Sequence, residues 1–173
     1  MTNIDFAILN FIQEYMRTSF GDVFMKLITA IGDHGISYIA FSLIMLCIPK
    51  MRSLGVRLAV TMASGFVICN LILKKTIARI RPYEVANFDI IVAPLSDFSF
   101  PSGHTFFAFA CSAVVFSRYK KWGIAMYILS AIIGFSRLYL YVHYPSDVVA
   151  GAVIGWLTGY VVVKIFDKKQ KKI

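Results

Sequence analysis

Charge is scarce in this 173-residue chain, and negative charge is scarcer than positive. Only 16% of the residues are charged, Asp and Glu number 9 in all, and 58% of the residues are hydrophobic. A soluble domain carries roughly 25% charged residues, so the composition excludes that class and predicts a protein that crosses a membrane several times. No linker, internal repeat or low-complexity tract divides the chain, and we expect one domain over residues 1–173.

Cysteine is scarce too, and the three cysteines cannot all pair. Cys47, Cys69 and Cys111 lie within apolar runs, which predicts buried free thiols and argues against a disulfide framework. The N-terminal residues 1–5 lack a basic segment and a small-residue cleavage site, so we expect no removable signal peptide.

The net charge of +9 has a topological explanation. Eleven of the 18 basic residues lie at the ends of apolar runs: Lys50, Arg52, Arg57, Arg118, Lys120, Lys121, Lys164, Lys168, Lys169, Lys171 and Lys172. Basic residues mark the cytoplasmic flanks of membrane helices and lie near anionic lipid headgroups. We therefore expect the bilayer, and no nucleic acid, as the partner of these charges.

Five apolar stretches are each suited to a membrane helix: about 35–49, 54–78, 105–118, 122–142 and 147–166. Residues 4–17 combine a helical apolar stripe with three charged residues, which favours an interfacial helix within residues 1–19. A short helix is expected from about 20 to 31. The sequence therefore predicts an all-α membrane bundle of about six transmembrane helices.

The basic loops also predict an orientation. If residues 50–57, 118–121 and 167–173 are cytoplasmic, the C-terminus is cytoplasmic and the polar motifs described below all lie on the outward side, at one membrane surface. In the last stretch Gly151, Gly155 and Gly159 recur every fourth residue, which predicts close helix packing.

Lys74 and Arg81 form the first polar motif. They are seven residues apart, close to two helical turns, so we expect them on one helix face. Pro82 disfavours helical geometry at Arg81, so the helix should fray there. Topological anchors are the ordinary explanation of such a pair, but these two cations lie on the side where the charge rule does not place them.

The second motif is Pro101-Ser102-Gly103-His104, directly before an apolar run. Ser102 suits an N-cap, and Gly103 gives a permissive backbone. The same geometry offers amide groups and the helix dipole to a phosphate oxygen, with the Ser102 hydroxyl as a further donor. His104 is expected in the first turn, near that anion.

The third motif contains Arg137, His143 and Asp147. An acceptor at Asp147 can hold the Nδ1–H of His143 and leave Nε2 as nucleophile or base, and Arg137 can bind two phosphate oxygens. Two histidines and an aspartate also suit zinc. The three cations Lys74, Arg81 and Arg137 would repel a divalent ion, so an anion site is favoured and no metal is expected.

Together the three motifs resemble those of the type 2 phosphatidic acid phosphatase superfamily. They are, in order, Lys74-x6-Arg81-Pro82, Pro101-Ser102-Gly103-His104 and Ser136-Arg137-x5-His143-x3-Asp147. The resemblance covers the chain from about residue 20. It implies a helical membrane core and an enzyme that hydrolyses phosphate monoesters or diphosphates without a metal or other cofactor.

The resemblance also implies a mechanism. Lys74, Arg81 and Arg137 bind the phosphoryl oxygens, with help from Ser102 and the Gly103 amide. His143, oriented by Asp147, attacks phosphorus to form a phosphohistidine, and His104 protonates the departing oxygen. The family and the expected outward site suggest undecaprenyl diphosphate, converted to undecaprenyl phosphate, as the substrate.

Two alternatives remain from the sequence. Phosphatidylglycerophosphate or phosphatidate is a rival substrate, because the motifs read the phosphate and not the lipid tail. A transporter or scaffold that only binds lipid phosphate belongs to a different class, although transport sites lie near the membrane midplane. The loop from Pro82 to Pro101 is interpreted equally well as a lid over the site or as a connection.

Overall fold

The computed structural model describes residues 2–170, which form helices, turns and loops but no β-strand. Nine α-helices follow one another in this part of the chain: α1 Thr2–Tyr15, α2 Ser19–Ala30, α3 Ile36–Cys47, α4 Arg52–Gly65, α5 Lys74–Ile77, α6 Pro82–Val85, α7 Gly103–Arg118, α8 Lys120–Tyr139 and α9 Pro145–Gln170. Two 3-10 turns, Asp33–Gly35 and Pro49–Met51, precede α3 and α4. A π-helical segment, Phe66–Leu73, connects α4 to α5 without a break.

Three stretches among the described residues are long and apolar enough to cross a membrane: Pro49–Val85, in which residues 78–81 are not helical, Lys120–Tyr139 and Pro145–Lys169. The helix Ile36–Cys47 is apolar but shorter. The all-α prediction is confirmed for the described part of the chain. The expected positions of the helices agree with the observed ones to within a few residues.

Helices α7 and α9 pack at very short range because the glycines of α9 face the backbone of α7. A Cβ at position 155 would lie 2.2 Å from the carbonyl oxygen of Phe106, and one at 151 would lie 2.6 Å from that of Ser102. A Cβ at 159 would lie 2.4 Å from the Ala110 oxygen. The prediction of close packing is confirmed, and it fixes the start of α7 against the start of α9.

The thiols are only partly as predicted. All three cysteines are free, and Cys69 and Cys111 are buried. The prediction of burial is wrong for Cys47, which is exposed at the last residue of α3. An apolar run on a membrane helix has a lipid-facing side as well as a packed one, so membership of the run does not determine burial.

Helix α1 packs beside the segment that joins α8 to α9. Leu9 and Ile12 are buried against a cluster that includes residues 139–142 and Tyr144. Gln13 donates to the carbonyl oxygen of Tyr139 at 2.8 Å. The opposite face of α1 is apolar and exposed, and it consists of Ile4, Ile8, Phe11 and Tyr15.

The segment between α6 and α7 is folded back onto the same cluster. Phe88 stacks on Tyr141 with 4.3 Å between the ring centroids, and the Tyr83 hydroxyl donates to the Leu95 carbonyl oxygen at 3.1 Å. This packing carries Asp97 and Ser99 to the site. The segment therefore supplies side chains to the site as well as connecting two helices.

The chain between Lys74 and Arg81 is not one helix, and the prediction that both lie on one helix face is wrong. Helix α5 ends at Ile77, and Ala78 adopts the left-handed conformation with φ of 47°. Arg81 is extended, with φ −74° and ψ 150°, as the following proline requires. The Ser99 N–H donates to the Arg79 carbonyl oxygen at 2.8 Å and holds this extended segment in place.

Candidate active site

Lys74 and Arg81 converge on one carboxylate, that of Asp97. Lys74 Nζ donates to Asp97 Oδ2 and, at 2.9 Å, to the Phe98 carbonyl oxygen. Arg81 donates to Asp97 Oδ1 and, at 2.8 Å, to its carbonyl oxygen. The two cations are 6% and 2% exposed, whereas the Asp97 side chain is 52% exposed. This half-buried carboxylate shows that the pair can bind an oxyanion.

The ionised form of the Asp97 carboxyl group is stabilised by Lys74 and Arg81. Partial burial by itself raises the pKa of the Asp97 carboxyl, but the hydrogen bonds and positive charges of Lys74 and Arg81 lower that pKa to about 2. Asp97 is therefore ionised at any physiological pH. The sequence interpretation placed Asp97 in the loop from Pro82 to Pro101 but did not assign it to the site, although it lies four residues before the Pro101 motif.

His143 lies against the same guanidinium. It is 2% exposed in the turn between α8 and α9, and its Nε2 is 3.3 Å from Arg81 Nη1. Arginine can only donate, so Nε2 is the acceptor and the proton belongs on Nδ1. Burial, followed by the positive charges of Arg81, Arg137 and Lys74, lowers the pKa of His143 well below its ordinary value. The imidazole is neutral at pH 7.

Asp147 lies next to His143, with Ser99 between them. His143 Nδ1 is 3.6 Å from Asp147 Oδ2, which is too long for a hydrogen bond. The Ser99 hydroxyl donates to Asp147 Oδ2 at 2.5 Å and lies 3.4 Å from Nδ1. The predicted pairing is present as proximity, but the hydroxyl of Ser99 bridges the two groups.

The start of α9 explains where the Asp147 carboxylate is held. Pro145 is the first helical residue, a position that proline favours. Two residues later Asp147 reaches back and accepts the Tyr144 N–H at 3.0 Å, as an acidic third residue does in a capping box. This contact and the Ser99 hydroxyl occupy Oδ2, so the direct bond to His143 is not formed.

Ser102, Gly103 and His104 lie at the start of α7 as predicted. Ser102 is the N-cap by position, but its hydroxyl accepts from Thr105 Oγ1 at 3.0 Å and makes no capping bond. Open space surrounds the position that a Cβ of Gly103 would take. His104 Nε2 is 2.8 Å from Asp33 Oδ1, a second acidic partner that the sequence interpretation missed.

Arg137 approaches from α8. It is 2% exposed, and its Nη1 donates to the Thr29 hydroxyl of α2. Its Nε is buried without a partner among the described residues. Arg81, Asp33 and Asp97 all lie within electrostatic range of it. A buried donor without an acceptor suits a ligand oxygen.

The structure therefore joins the three predicted motifs at one end of the bundle. Asp97 links Lys74 to Arg81, Arg81 contacts His143, and the Ser99 hydroxyl links His143 to Asp147. The Ser102 N–H donates to the Asp147 carbonyl oxygen at 3.1 Å. His104 and Arg137 lie within electrostatic range of His143. The polar residues that sequence reasoning did not assign to the site are Asp5, Asp33, Arg79, Asp97 and Ser99. Arg79 lies inside the Lys74–Arg81 spacing, which was its only signal.

Residues 54–171 match the family described as the PAP2 superfamily. The chain belongs to this superfamily. The match covers more than half of the chain and contains all three motifs, so the resemblance to the type 2 phosphatidic acid phosphatases is confirmed.

Curated relatives of this PAP2 chain include lipid phosphatases. The undecaprenyl-diphosphatase of Sulfolobus acidocaldarius is 27% identical over 130 residues, which cover 74% of this chain and 63% of the relative. Undecaprenyl-diphosphatase BcrC of Bacillus subtilis is 29% identical over 75% of this chain and 69% of its own length. Phosphatidylglycerophosphatase B of Bacillus subtilis is 36% identical over 60% of this chain and 53% of its length. The match to the first of these spans less than two thirds of that protein.

Solved structures share the fold. The crystal structure of a transmembrane PAP2 type phosphatidylglycerolphosphate phosphatase from Bacillus subtilis has a TM-score of 0.79 and 27% identity, covering 97% of this chain and 86% of its own. The structure of Aquifex aeolicus LpxE has a TM-score of 0.72 with 24% identity and covers 94% of both chains. At that lower identity the likeness concerns the fold alone.

Proposed function

We propose that this PAP2 chain is a membrane phosphatase that hydrolyses a lipid phosphate or diphosphate at the site described above, without a metal. One observation carries the proposal: two buried cations bind a carboxylate directly beside the Nε2 of a neutral, buried His143. Cations that bind an oxyanion next to an imidazole lone pair are what nucleophilic attack on phosphorus requires.

In the proposed reaction, His143 Nε2 attacks phosphorus as the bond to the leaving oxygen breaks. Asp147 and Ser99 stabilise the proton on Nδ1, and His104 gives a proton to the leaving oxygen. Water, activated by His104, then attacks the phosphohistidine and releases inorganic phosphate. The oxygens around phosphorus are held by the remaining predicted groups: Lys74, Arg81, Ser102, Gly103 and Arg137.

The Asp97 carboxylate occupies the donors that the proposal gives to phosphate. A phosphoryl group must therefore replace it on Lys74 and Arg81. A phosphate dianion has more charge and more acceptor oxygens than a carboxylate, and the partnerless Nε of Arg137 is a further donor for it. The same three cations make a resident divalent metal unfavourable.

We further propose a single domain of about six membrane helices with the site at the outer membrane surface and the C-terminus in the cytoplasm. Helix α5, through Lys74, and the starts of α7 and α9 meet at the site. Arg118, at the last residue of α7, and Lys168 and Lys169, near the end of α9, lie at the opposite ends of α7 and α9. The exposed apolar face of α1 suits an interfacial helix beside the site.

Undecaprenyl diphosphate is the substrate that we favour, converted to undecaprenyl phosphate in cell-wall lipid recycling. Two relatives that match most of this chain carry the name undecaprenyl-diphosphatase. Phosphatidylglycerophosphate is the second candidate, because a relative and a solved structure carry that activity in their names. Phosphatidate would offer the same terminal phosphate.

The test is phosphate release by the purified protein in detergent with EDTA present. Undecaprenyl diphosphate, phosphatidylglycerophosphate and phosphatidate are compared at equal surface concentration. Turnover is expected with EDTA, fastest on undecaprenyl diphosphate. His143→Ala should abolish it and His104→Ala should slow it severely, while Val153→Ala on the exposed side of α9 is the matched control. Tight lipid binding without turnover would instead identify a transporter or scaffold.

A further inference from the structure

Helix α1 supplies a buried carboxylate next to the site. Asp5 is 4% exposed. Its Oδ1 accepts the N–H of Ser146 at 3.0 Å, and its Oδ2 accepts the Ser146 hydroxyl at 2.8 Å. Ser146 is the second residue of α9 and precedes Asp147. The charge of Asp5 therefore lies at the N-terminus of the helix that carries Asp147, where the helix dipole favours a negative charge.

Arg79 joins Asp5 to Asp147. Its Nη1 donates to Asp147 Oδ1 at 2.5 Å and to the Ser146 hydroxyl at 2.7 Å, and its Nη2 donates to Asp5 Oδ2 at 2.8 Å. The ring of Tyr144 lies under the guanidinium, with 3.7 Å between the centroid and the central carbon. A planar fork with several donors can hold two carboxylates at once, which a lysine cannot do in this geometry.

Arg79 and Arg81 thus contact opposite ends of one catalytic pair. Arg81 lies at His143 Nε2, and Arg79 lies at the Asp147 carboxylate. Both come from the extended segment after Ala78, which is paired with the segment that carries Ser99. The left-handed Ala78 is therefore what allows two arginines, two residues apart, to reach the two members of the pair.

We propose that Arg79 and Asp5 are positioning residues that fix the orientation and the charge balance of Asp147, and through Asp147 the basicity of His143. The inference rests on the proposed function, in which His143 is the nucleophile. Neither residue touches the phosphate in the proposed reaction. Arg79 holds Asp147 Oδ1, so that Oδ2 stays directed at Ser99 and His143. The negative charge of Asp5 offsets the positive charge of Arg79, so that Arg79 does not cancel the effect of the Asp147 carboxylate on His143.

The charge argument gives opposite signs for the two residues. Without the negative charge of Asp5, the field at His143 becomes more positive and its protonated form less stable. Without the positive charge of Arg79, the field at His143 becomes less positive and its protonated form more stable. The other charged or titratable groups around the pair stay the same in all variants: Lys74, Arg81, Asp97, His104, Arg137 and Tyr144.

The experiment measures kcat against pH for phosphate release from the best substrate of the panel above. The parameter kcat reports the substrate complex, in which the phosphate charge offsets the surrounding cations. The acid limb is the fall of kcat at low pH. Asp5→Asn should lower kcat about tenfold and move the midpoint of the acid limb down by about half a pH unit. Arg79→Gln should lower kcat further and move the acid limb up by about the same amount.

Two further variants separate charge from geometry. The double variant Asp5→Asn/Arg79→Gln restores the charge sum, so its acid limb should return to the wild-type position while kcat stays low. Arg79→Lys keeps the positive charge but removes the planar guanidinium that binds both carboxylates. We therefore expect kcat to fall while the midpoint of the acid limb does not change. Arg17→Gln removes a comparable ion pair, that of Arg17 with Asp22, and should change neither quantity.

Acid limbs that stay in place, or that move in the same direction in Asp5→Asn and Arg79→Gln, would overturn the inference and leave the network a purely structural one. Wild-type kcat in both variants would overturn it too. Unfolding midpoints in detergent identify a variant that is misfolded, and Arg79→Met, which also removes the positive charge, then replaces Arg79→Gln. His143→Ala reports on the proposed function alone, because normal turnover in that variant overturns the function and not merely the role of Arg79.

Discussion

Two acidic side chains lie on the donors of the proposed phosphate site. Asp97 lies on Lys74 and Arg81, and Asp33 lies on His104. Buried cations need a counter-charge, because an unpaired buried charge is strongly unfavourable. The two carboxylates therefore identify the donors that a phosphate would bind in the proposed reaction.

Asp97→Asn should tighten the binding of inorganic phosphate. The substitution removes the carboxylate that competes for Lys74 and Arg81, so the inhibition constant of phosphate and the KM of the lipid should fall at least about threefold, or roughly 0.7 kcal/mol. Competitive inhibition of phosphate release measures both. Asp89→Asn is the control, since Asp89 is an exposed carboxylate of the same segment. A rise in both constants would mean that Asp97 orients the two cations rather than competing for them.

The depressed pKa of His143 predicts where activity is lost in acid. A lowered folded-state pKa keeps the imidazole neutral through the whole range above it, so the nucleophile is lost only as the pH falls through that lowered value. The acid limb of kcat/KM, which reports the free enzyme, should therefore lie below pH 6.5, the ordinary value for histidine. A midpoint at or above 6.5 in a pH–rate series would contradict the electrostatic description of the site.

The grouping of the motif residues at one end of the bundle was predictable from the sequence, and the contacts that support them were not. Lys74, Arg81, His143 and Asp147 were recognisable because their types and spacing suit an anion. Ser99 and Asp97 had no comparable signal, since a serine or an aspartate in a loop ordinarily faces water. Their roles depend on the packing of Phe88 and its neighbours, which no local pattern reveals.

At the level of elements, the contact between α7 and α9 sets the relative positions of two motifs. Gly155→Ala would place a Cβ 2.2 Å from a backbone oxygen of α7, so the helices must separate. We expect a loss of about 1–3 kcal/mol in the free energy of unfolding and a lower kcat, because the start of α7 moves away from Asp147. Thermal unfolding and phosphate release in detergent measure the two effects. Val153→Ala, on the exposed face of α9, should change both much less.

Helix positions followed from the apolar runs, and the run 54–78 ends at the observed break, but the left-handed conformation of Ala78 could not be predicted. A left-handed residue is usually glycine or asparagine, so the alanine at position 78 does not predict a left-handed conformation. Arg81 and Pro82 predicted the fraying but placed it three residues too late. The convergence of Lys74 and Arg81 was predicted correctly, although the route is an extended segment and not a shared helix face.

At the scale of the molecule, the proposed orientation predicts which residues can be labelled from outside. In a Cys47→Ser background, Asp89→Cys should react with a membrane-impermeant maleimide on intact cells, because residue 89 lies on the site side. Lys169→Cys, at the opposite end of α9, should react only after permeabilisation. Both positions are exposed in the structure. The reverse pattern would place the site in the cytoplasm.

In the proposed reaction, Asp97 makes substrate binding an exchange of one anion for another and not the filling of an empty cavity. Without substrate, Lys74 and Arg81 already bind the carboxylate of Asp97. A singly charged anion that replaces this carboxylate therefore binds with little net gain in free energy. A doubly charged terminal phosphate offers more charge and more acceptor oxygens, and it binds more favourably. Discrimination among anions would then begin before any bond is broken. Chloride or a monoanionic phosphodiester headgroup, both abundant around a membrane, would leave the enzyme uninhibited.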